Sequence, residues 1–478
     1  MSEAHADTAT RLLIGGHWLP SSTGQTFLTR DPSTGNALRE IAEASPGDVD
    51  AAVAAARAAM NDPAWSGLPR RQVSQLLWRL ADLIEADADA IARLETSDNG
   101  QPFEVSRNVT IPGTVEHLRY FAGWATKIEG RTAPMSDPNV FHYTRREPVG
   151  VCALILPWNF PLMITAWKLA PALACGNAVI LKPAEQTPLT AVRLAELCQE
   201  AGFPAGVVNL LTGGPSVGKR LVEHNDVDKV SFTGSTDVGR EILRTSAGNF
   251  KRVTLELGGK TPMIVARDAD IDAAVTGTVQ GALFNSGQVC AAYSRFYVDS
   301  ARSDEFVEKV AAQAAAVRLG PLISDEHRSS VDGFVRRGVA EGAELVTGGK
   351  PVAGDGYFYE PTVFAGVRDE MSLARDEIFG PVIPVLTYDD PDELVGRAND
   401  SAYGLAASVW TKDLVTAHRL AASVKAGAVF VNMLHVPDPA APWGGFKASG
   451  IGREMGAYAL DAYTEIKGVF MNLATEES

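Results

Sequence analysis

Apolar positions recur at helical spacing through Arg70 to Ala92, and Asp48 to Met60 is Ala-rich behind a capping residue, so both segments predict helices. Further along, the period changes. Val149 to Leu156 and Ala178-Val179-Ile180-Leu181 are continuous apolar runs of strand length, the pattern of strands buried on both faces. Leu162 to Ala174 lies between them as a helix, and Thr187 to Ala201 follows as another, ended by Gly202. Val207 to Leu211 and Lys229-Val230-Ser231 add two short strands. Strand and helix alternate, which predicts an α/β fold with a largely parallel sheet of the dinucleotide-binding kind.

Two stretches break this rhythm. From Lys127 to Pro148, charges, Pro134, Pro138 and alternating Val140, Tyr143 and Arg145 predict an extended excursion, and Ala462 to Phe470 alternates similarly. Unpaired strand edges seek partners, so the two arms are expected to pair with each other or with a neighbouring subunit. The chain shows no internal repeat.

The 478 residues allow roughly three domains at about 150 each. A hydrophobic share of 46% with 44 Gly and 27 Pro fits a soluble globular protein. A net charge of −15 would repel a polyphosphate backbone or an anionic membrane, so nucleic acid and membrane are not expected partners. Phe160 to Leu181 is nearly all apolar, yet Lys168, Pro171, Gly176 and Asn177 within it favour a buried helix, turn and strand over a bilayer span. The acidic, polar Met1-Ser2-Glu3-Ala4-His5-Ala6-Asp7 lacks the basic and apolar regions of an export signal, and a cytoplasmic location is expected. Cys152, Cys175, Cys198 and Cys290 make no close pair of the kind zinc sites use, so no metal is expected; three of them lie among Val, Ala and Leu as small hydrophobes.

Cys290 is different. It follows Phe284-Asn285-Ser286-Gly287-Gln288-Val289, where small and polar neighbours leave a thiol approachable, and Leu255-Glu256-Leu257-Gly258-Gly259-Lys260 places a carboxylate in a Gly-rich turn. A thiol nucleophile served by a general base forms and hydrolyses an acyl intermediate, which points to oxidative chemistry on an aldehyde. A free thiol of pKa about 8.5 is mostly protonated at neutrality, so Cys290 needs amide dipoles or a base to react. Asn159, before Pro161, is by itself a turn residue.

Gly213-Gly214-Pro215-Ser216-Val217-Gly218-Lys219-Arg220 nearly spells a P-loop, but Arg220 stands where a hydroxyl must hold magnesium, which argues against ATP hydrolysis. Gly234-Ser235-Thr236-Asp237-Val238-Gly239 follows a strand and opens a helix, a place where backbone N–H groups can hold a pyrophosphate, although it lacks the middle Gly of the usual fingerprint. Lys182-Pro183-Ala184-Glu185 follows another buried strand. An acidic residue there accepts from both ribose hydroxyls and repels a 2′-phosphate, favouring NAD over NADP.

These segments, together with Pro157-Trp158-Asn159-Phe160-Pro161, Trp167 to Ala174, Glu377-Ile378-Phe379-Gly380-Pro381, Pro442-Trp443-Gly444-Gly445-Phe446-Lys447 and Gly450 to Glu454, resemble the NAD(P)-dependent aldehyde dehydrogenase superfamily over essentially the whole chain. The resemblance implies Cys290 as nucleophile, Glu256 as general base, Asn159 as oxyanion donor beside the Cys290 N–H, and Lys168 with Glu454 as a buried proton-passing pair. It implies cofactor contacts from Pro157, Trp158, Lys182, Glu185, Gly214, Gly218, Phe232, Gly234, Ser235, Leu257, Gly258, Glu377 and Phe379. It also implies a Rossmann-like NAD-binding domain split over 1–126 and 148–256, an α/β catalytic domain over 257–447, a small β oligomerisation arm from 127–147 and 462–478, and a homodimer or homotetramer. Thr261 departs from the smaller or amide residue the family more often has, a change expected to be tolerated.

By the same resemblance, Phe160, Ile164, Trp167, Phe284, Val289, Ala291, Trp443 and the loop from Met433 line the aldehyde tunnel. They are mostly apolar or aromatic, so a buried carboxylate on the substrate would be costly, and Trp167 stands where relatives that take semialdehydes tend to have Arg. An apolar or aromatic aldehyde is expected. Aromatic faces also attract quaternary ammonium groups, which keeps betaine aldehyde open. A CoA-acylating enzyme would use the same thiol, but Glu256 favours water as the acceptor. A non-catalytic scaffold would be expected to lack the thiol or the base.

Overall fold

The computed structural model describes residues 8–474; Met1–Asp7, expected to carry no export signal, and residues 475–478 of the expected arm lie outside the described residues. Among the described residues, eight strands form one sheet in the order Gly450–Ile451, Arg252–Glu256, Lys229–Thr233, Val151–Ile155, Ala178–Lys182, Val208–Leu210, Leu12–Ile14, His17–Leu19. The five from Arg252–Glu256 to Val208–Leu210 run parallel. Cys152 and Leu154 enter one buried cluster while Val151, Ala153 and Ile155 enter another, so this strand is apolar on both faces, as its unbroken hydrophobic run requires. From Val151–Ile155 the chain winds outward through Ala178–Lys182 to one side; Lys229–Thr233 and Arg252–Glu256 lie on the other. The reversal leaves a crevice at the carboxyl ends of the strands.

A second sheet has the order Glu344–Thr347, Thr362–Ala365, Val382–Tyr388, Tyr293–Asp299, Thr261–Val265, Ala406–Trp410, Ala428–Val431, parallel except for its first pair. Ile264 packs to one side of it and Met263 and Val265 to the other. Thr261, the residue that departs from the family pattern, is buried at the start of its strand.

The two irregular stretches pair with each other. Val140–Pro148 and Thr464–Asn472 form an antiparallel ladder running from Thr464 opposite Pro148 to Asn472 opposite Val140. The apolar stretch from Phe160 to Leu181 is the helix Pro161–Ala174, a turn, and the strand Ala178–Lys182. Among the described residues no helix is long and apolar enough to cross a membrane. The near P-loop is a helix start: Gly214 caps Pro215–Glu223, and Arg220 is held by Asp50 at 2.7 Å.

One helix differs from expectation. Arg70 to Ala92 is two helices, Arg70–Ala86 and Ala88–Asn99, broken at Asp87, whose carboxylate accepts a bond from Arg193 at 2.7 Å. Buried Val73, Leu77, Leu80, Ile84, Ala88 and Ile91 keep helical spacing straight through the break, so periodicity does not reveal it.

Candidate active site

The site forms where the carboxyl edge of the first sheet meets the amino edge of the second. Glu256 ends its strand, and Gly258-Gly259 carries the chain between two neighbours before the strand Thr261–Val265 begins. A Cβ on Gly259 would lie 2.4 Å from the Cys290 carbonyl, and one on Gly258 would lie 2.1 Å from Glu377 Oε2. Only a chain without side chains passes there. The Gly259 N–H donates to Glu377 Oε1 at 2.9 Å, so the turn that follows Glu256 is flanked by both Cys290 and Glu377.

The loop before Cys290 is held in an uncommon conformation. Asn285 (φ 48°), Ser286 (φ 58°) and Gly287 (φ 77°) are left-handed in succession, which costs roughly 1–2 kcal/mol for each non-glycine residue. Side chains hold it in place. Asn285 Nδ2 donates to the Asn159 carbonyl at 3.0 Å, and Ser286 Oγ donates to the Gly320 carbonyl at 2.7 Å. The Gln288 amide donates to the Asn285 carbonyl at 3.0 Å and accepts the Ile323 N–H at 2.9 Å. Gly287 must be glycine because a Cβ would fall 2.2 Å from the Gly380 carbonyl.

Burial pushes the Cys290 thiol up to about 12, and the negative charges of Glu256 and Glu377 add to that, against the backbone N–H groups of Ala291 and Cys290, which pull it down. Burial likewise raises the Glu256 carboxyl well above its ordinary range, with Glu454 raising it further and Lys168 and Arg453 opposing. Neither Glu256 oxygen has a hydrogen-bond partner within the protein. Behind Glu256, Lys168 and Glu454 form a fully buried ion pair, and Ser231 Oγ accepts from Lys168 at 3.2 Å while donating to Glu454 at 3.0 Å.

The expected cofactor residues gather along the crevice at the carboxyl ends of the parallel strands. Pro157 and Trp158 follow Val151–Ile155, Lys182 ends Ala178–Lys182, and Phe232 lies in Lys229–Thr233. Gly214 caps the helix containing Gly218, and Leu257 and Gly258 follow Arg252–Glu256. Gly234 leads into the helix Thr236–Ser246, whose cap Ser235 accepts the Val238 N–H at 3.4 Å; a Cβ on Gly234 would strike the Phe232 ring at 2.4 Å. Lys182 and Glu185 pair at 3.5 Å. Trp158 and Phe379 meet edge-on at 5.3 Å, and burial raises Glu377 to about 7. The open backbone, the carboxylate at a strand end and the aromatic pair fit an extended dinucleotide.

Beyond Cys290 opens a cavity of about 710 Å³ that Phe160, Trp167, Phe284, Val289, Ala291 and Trp443 all help to line. Phe160 stacks on Phe284 at 6.0 Å, and Trp167 meets Trp443 at 6.3 Å. Residues that the sequence reading did not select also belong here. His117 stacks on Trp167 at 5.4 Å, and His435 lines the same cavity. Isolated His residues carry no spacing signal, and a long-range contact is what gives them meaning.

Comparison with known proteins bears on the family and the fold. The model of the aldehyde dehydrogenase family matches residues 18–469. The mitochondrial aldehyde dehydrogenase of Homo sapiens is 48% identical over 483 residues, covering 98% of this chain and 93% of that protein. The structure of an aldehyde dehydrogenase from Bacillus cereus in complex with NAD+ superposes with a TM-score of 0.97 at 44% identity, covering 99% of this chain and 98% of that one. A betaine aldehyde dehydrogenase from Staphylococcus aureus, in complex with NAD+, superposes with a TM-score of 0.95 at 37% identity, covering 98% of this chain and 96% of that one. On these grounds the chain belongs to the aldehyde dehydrogenase family.

Proposed function

We propose that the protein oxidises an apolar or aromatic aldehyde to its carboxylic acid with NAD, through an acyl intermediate on Cys290. The observation that carries this reading is the convergence of a thiol, an unbonded buried carboxylate and an apolar cavity of about 710 Å³ at one place. Lys182, Glu185, the Gly234-Ser235 turn, Glu377 and Phe379 would hold NAD, which when bound would supply the hydride acceptor. Glu185 at a strand end favours NAD over NADP, because a carboxylate accepts from ribose hydroxyls and repels a phosphate.

Cys290 attacks the aldehyde carbon as its thiolate, its proton having gone to solvent; the carbonyl π bond opens onto the oxygen, and that oxygen, now negative, is met by the Asn159 amide and the Cys290 N–H. Donors already aimed at such an oxygen contribute roughly 3 to 4 kcal/mol each. Loss of hydride leaves a thioester on Cys290. Glu256 takes a proton from water, the hydroxide displaces the thiolate, and the acid leaves. A carboxyl raised by burial suits this role, since a base works best with a pKa near the working pH. Lys168, Ser231 and Glu454 offer the proton a route away from Glu256.

The tunnel wall decides the substrate. Trp167, Trp443, Phe160 and Phe284 pack together with Cys290 and carry no charge, so burying a carboxylate unpaired among them is costly; Arg318 and Glu116, one charge of each sign, also line the cavity. The same rings favour a quaternary ammonium group as a second reading. Chain division into a cofactor unit (1–126 and 148–256), a catalytic unit (257–447) and an arm that joins copies into a homodimer or homotetramer belongs to this reading, as does a cytoplasmic location. Comparing kcat/KM for benzaldehyde, hexanal, betaine aldehyde and succinic semialdehyde tests it. Fastest turnover of benzaldehyde or hexanal supports the main reading, of betaine aldehyde the second; fastest turnover of succinic semialdehyde overturns both.

A further inference from the structure

Phe379 is a bulky residue at φ 56°, in the left-handed region where a side chain costs roughly 1–2 kcal/mol. Strain of this kind persists only where the surroundings over-determine it. Its carbonyl oxygen lies 2.8 Å from Nε2 of His327. A carbonyl only accepts, so His327 must carry its proton on Nε2 and donate.

His327 is itself firmly placed. It sits in the first turn of the helix Asp325–Ala340, where its backbone N–H donates to the capping Ser324 Oγ at 3.0 Å. Its ring meets Trp158 at 5.5 Å and Phe379 at 6.1 Å, while Trp158 and Phe379 meet each other at 5.3 Å. Three rings thus form a closed cluster at the edge of the cofactor crevice. The helix start is also tied to the nucleophile loop, since the Ile323 N–H, one residue before Ser324, donates to Gln288 at 2.9 Å.

We propose that His327 is a positioning residue for the cofactor: its Nε2–H bond to the Phe379 carbonyl locks that residue's left-handed backbone and so sets the Phe379 ring at the cofactor crevice. The inference rests on the reading of Phe379 as a cofactor residue. Burial lowers the imidazole's affinity for protons, so the ring stays neutral and keeps one fixed donor.

The test uses His327→Ala, His327→Phe and His327→Gln in the full-length enzyme, with NAD affinity by calorimetry and steady-state kinetics side by side. His327→Ala and His327→Phe should weaken NAD by about tenfold, the scale of one lost hydrogen bond, with the aldehyde KM unchanged. Gln carries an amide donor near the position of Nε2 and should restore binding to within about twofold of the parent, taking the same scale as reference. In a Phe379→Leu background, His327→Phe should add little, because the ring it places is gone. Unchanged NAD affinity in His327→Phe, failure of Gln to rescue, or full additivity with Phe379→Leu overturns the proposal. If the Ala variant fails to fold, Phe against Gln carries the comparison alone. Calorimetry separates the two readings: a parent enzyme that binds NAD but oxidises no aldehyde defeats the proposed function and leaves the His327 comparison intact.

Discussion

Asn159 donates its side-chain amide to the Gln288 carbonyl at 3.0 Å, which fastens the expected oxyanion donor to the nucleophile's own loop, two residues before Cys290. Its backbone carbonyl is bound in return by Asn285. One amide proton remains on Nδ2 for a substrate oxygen. Asn159→Ala should therefore lower kcat by roughly 10²–10³, the cost of one oxyanion donor, with a smaller change in aldehyde KM. Steady-state kinetics check this, and a kcat within threefold of the parent would remove Asn159 from the chemistry.

Cys290→Ala should abolish NADH formation while calorimetry still detects NAD binding, since the crevice residues are untouched. Glu256→Gln should give a rapid burst of NADH followed by slow turnover, because acylation outruns thioester hydrolysis. Stopped-flow absorbance distinguishes the two variants. Full steady-state activity in either excludes the assigned role.

The electrostatics of the thiol give a sign that can be tested. After burial, the Glu256 charge is the next largest influence raising the Cys290 thiol, so replacing it with neutral Gln should increase the thiolate fraction. At pH 9 and without cofactor, Glu256→Gln should react with iodoacetamide faster than the parent. Slower alkylation would mean that Glu256 deprotonates the resting thiol instead of repelling its anion. In the parent, kcat/KM should rise with pH from neutrality upward, since both the raised Glu256 carboxyl and the raised thiol lose protons in that direction.

Lys168→Met leaves Glu454 buried without its counter-charge, which costs about 3–5 kcal/mol for pairs of this kind. Melting temperature should fall sharply, and adding Glu454→Gln should recover part of the loss. Equal melting temperatures for the parent and Lys168→Met would show that the pair is open to water.

Much of this was legible from the chain. The buried strands announced themselves by apolar runs, because a strand covered on both faces has no polar side to show. Cys290 and Glu256 stood out because each sits in a short segment of unusual composition, whereas Asn159 by itself read as a turn residue and took its proposed role only from the family resemblance. The break at Asp87 was hidden, since the apolar stripe continues across it in helical register. His327 was also hidden, because its partner Phe379 lies 52 residues away and nothing local marks it; Gln288 lay in the marked segment, but its bond from Ile323, 35 residues on, was not readable there.

The ladder between Val140–Pro148 and Thr464–Asn472 has a consequence for synthesis. A ribosome that has released the first strand must add over three hundred residues before the second emerges, roughly 15 to 60 seconds at ordinary elongation rates. Until then the strand lacks the partner that covers all nine of its positions, with Thr132 bridged to Tyr143 and exposed Phe141 left without a neighbour in the ladder. Chaperone occupancy of that segment during translation, ending only when the tail appears, is what such an architecture demands.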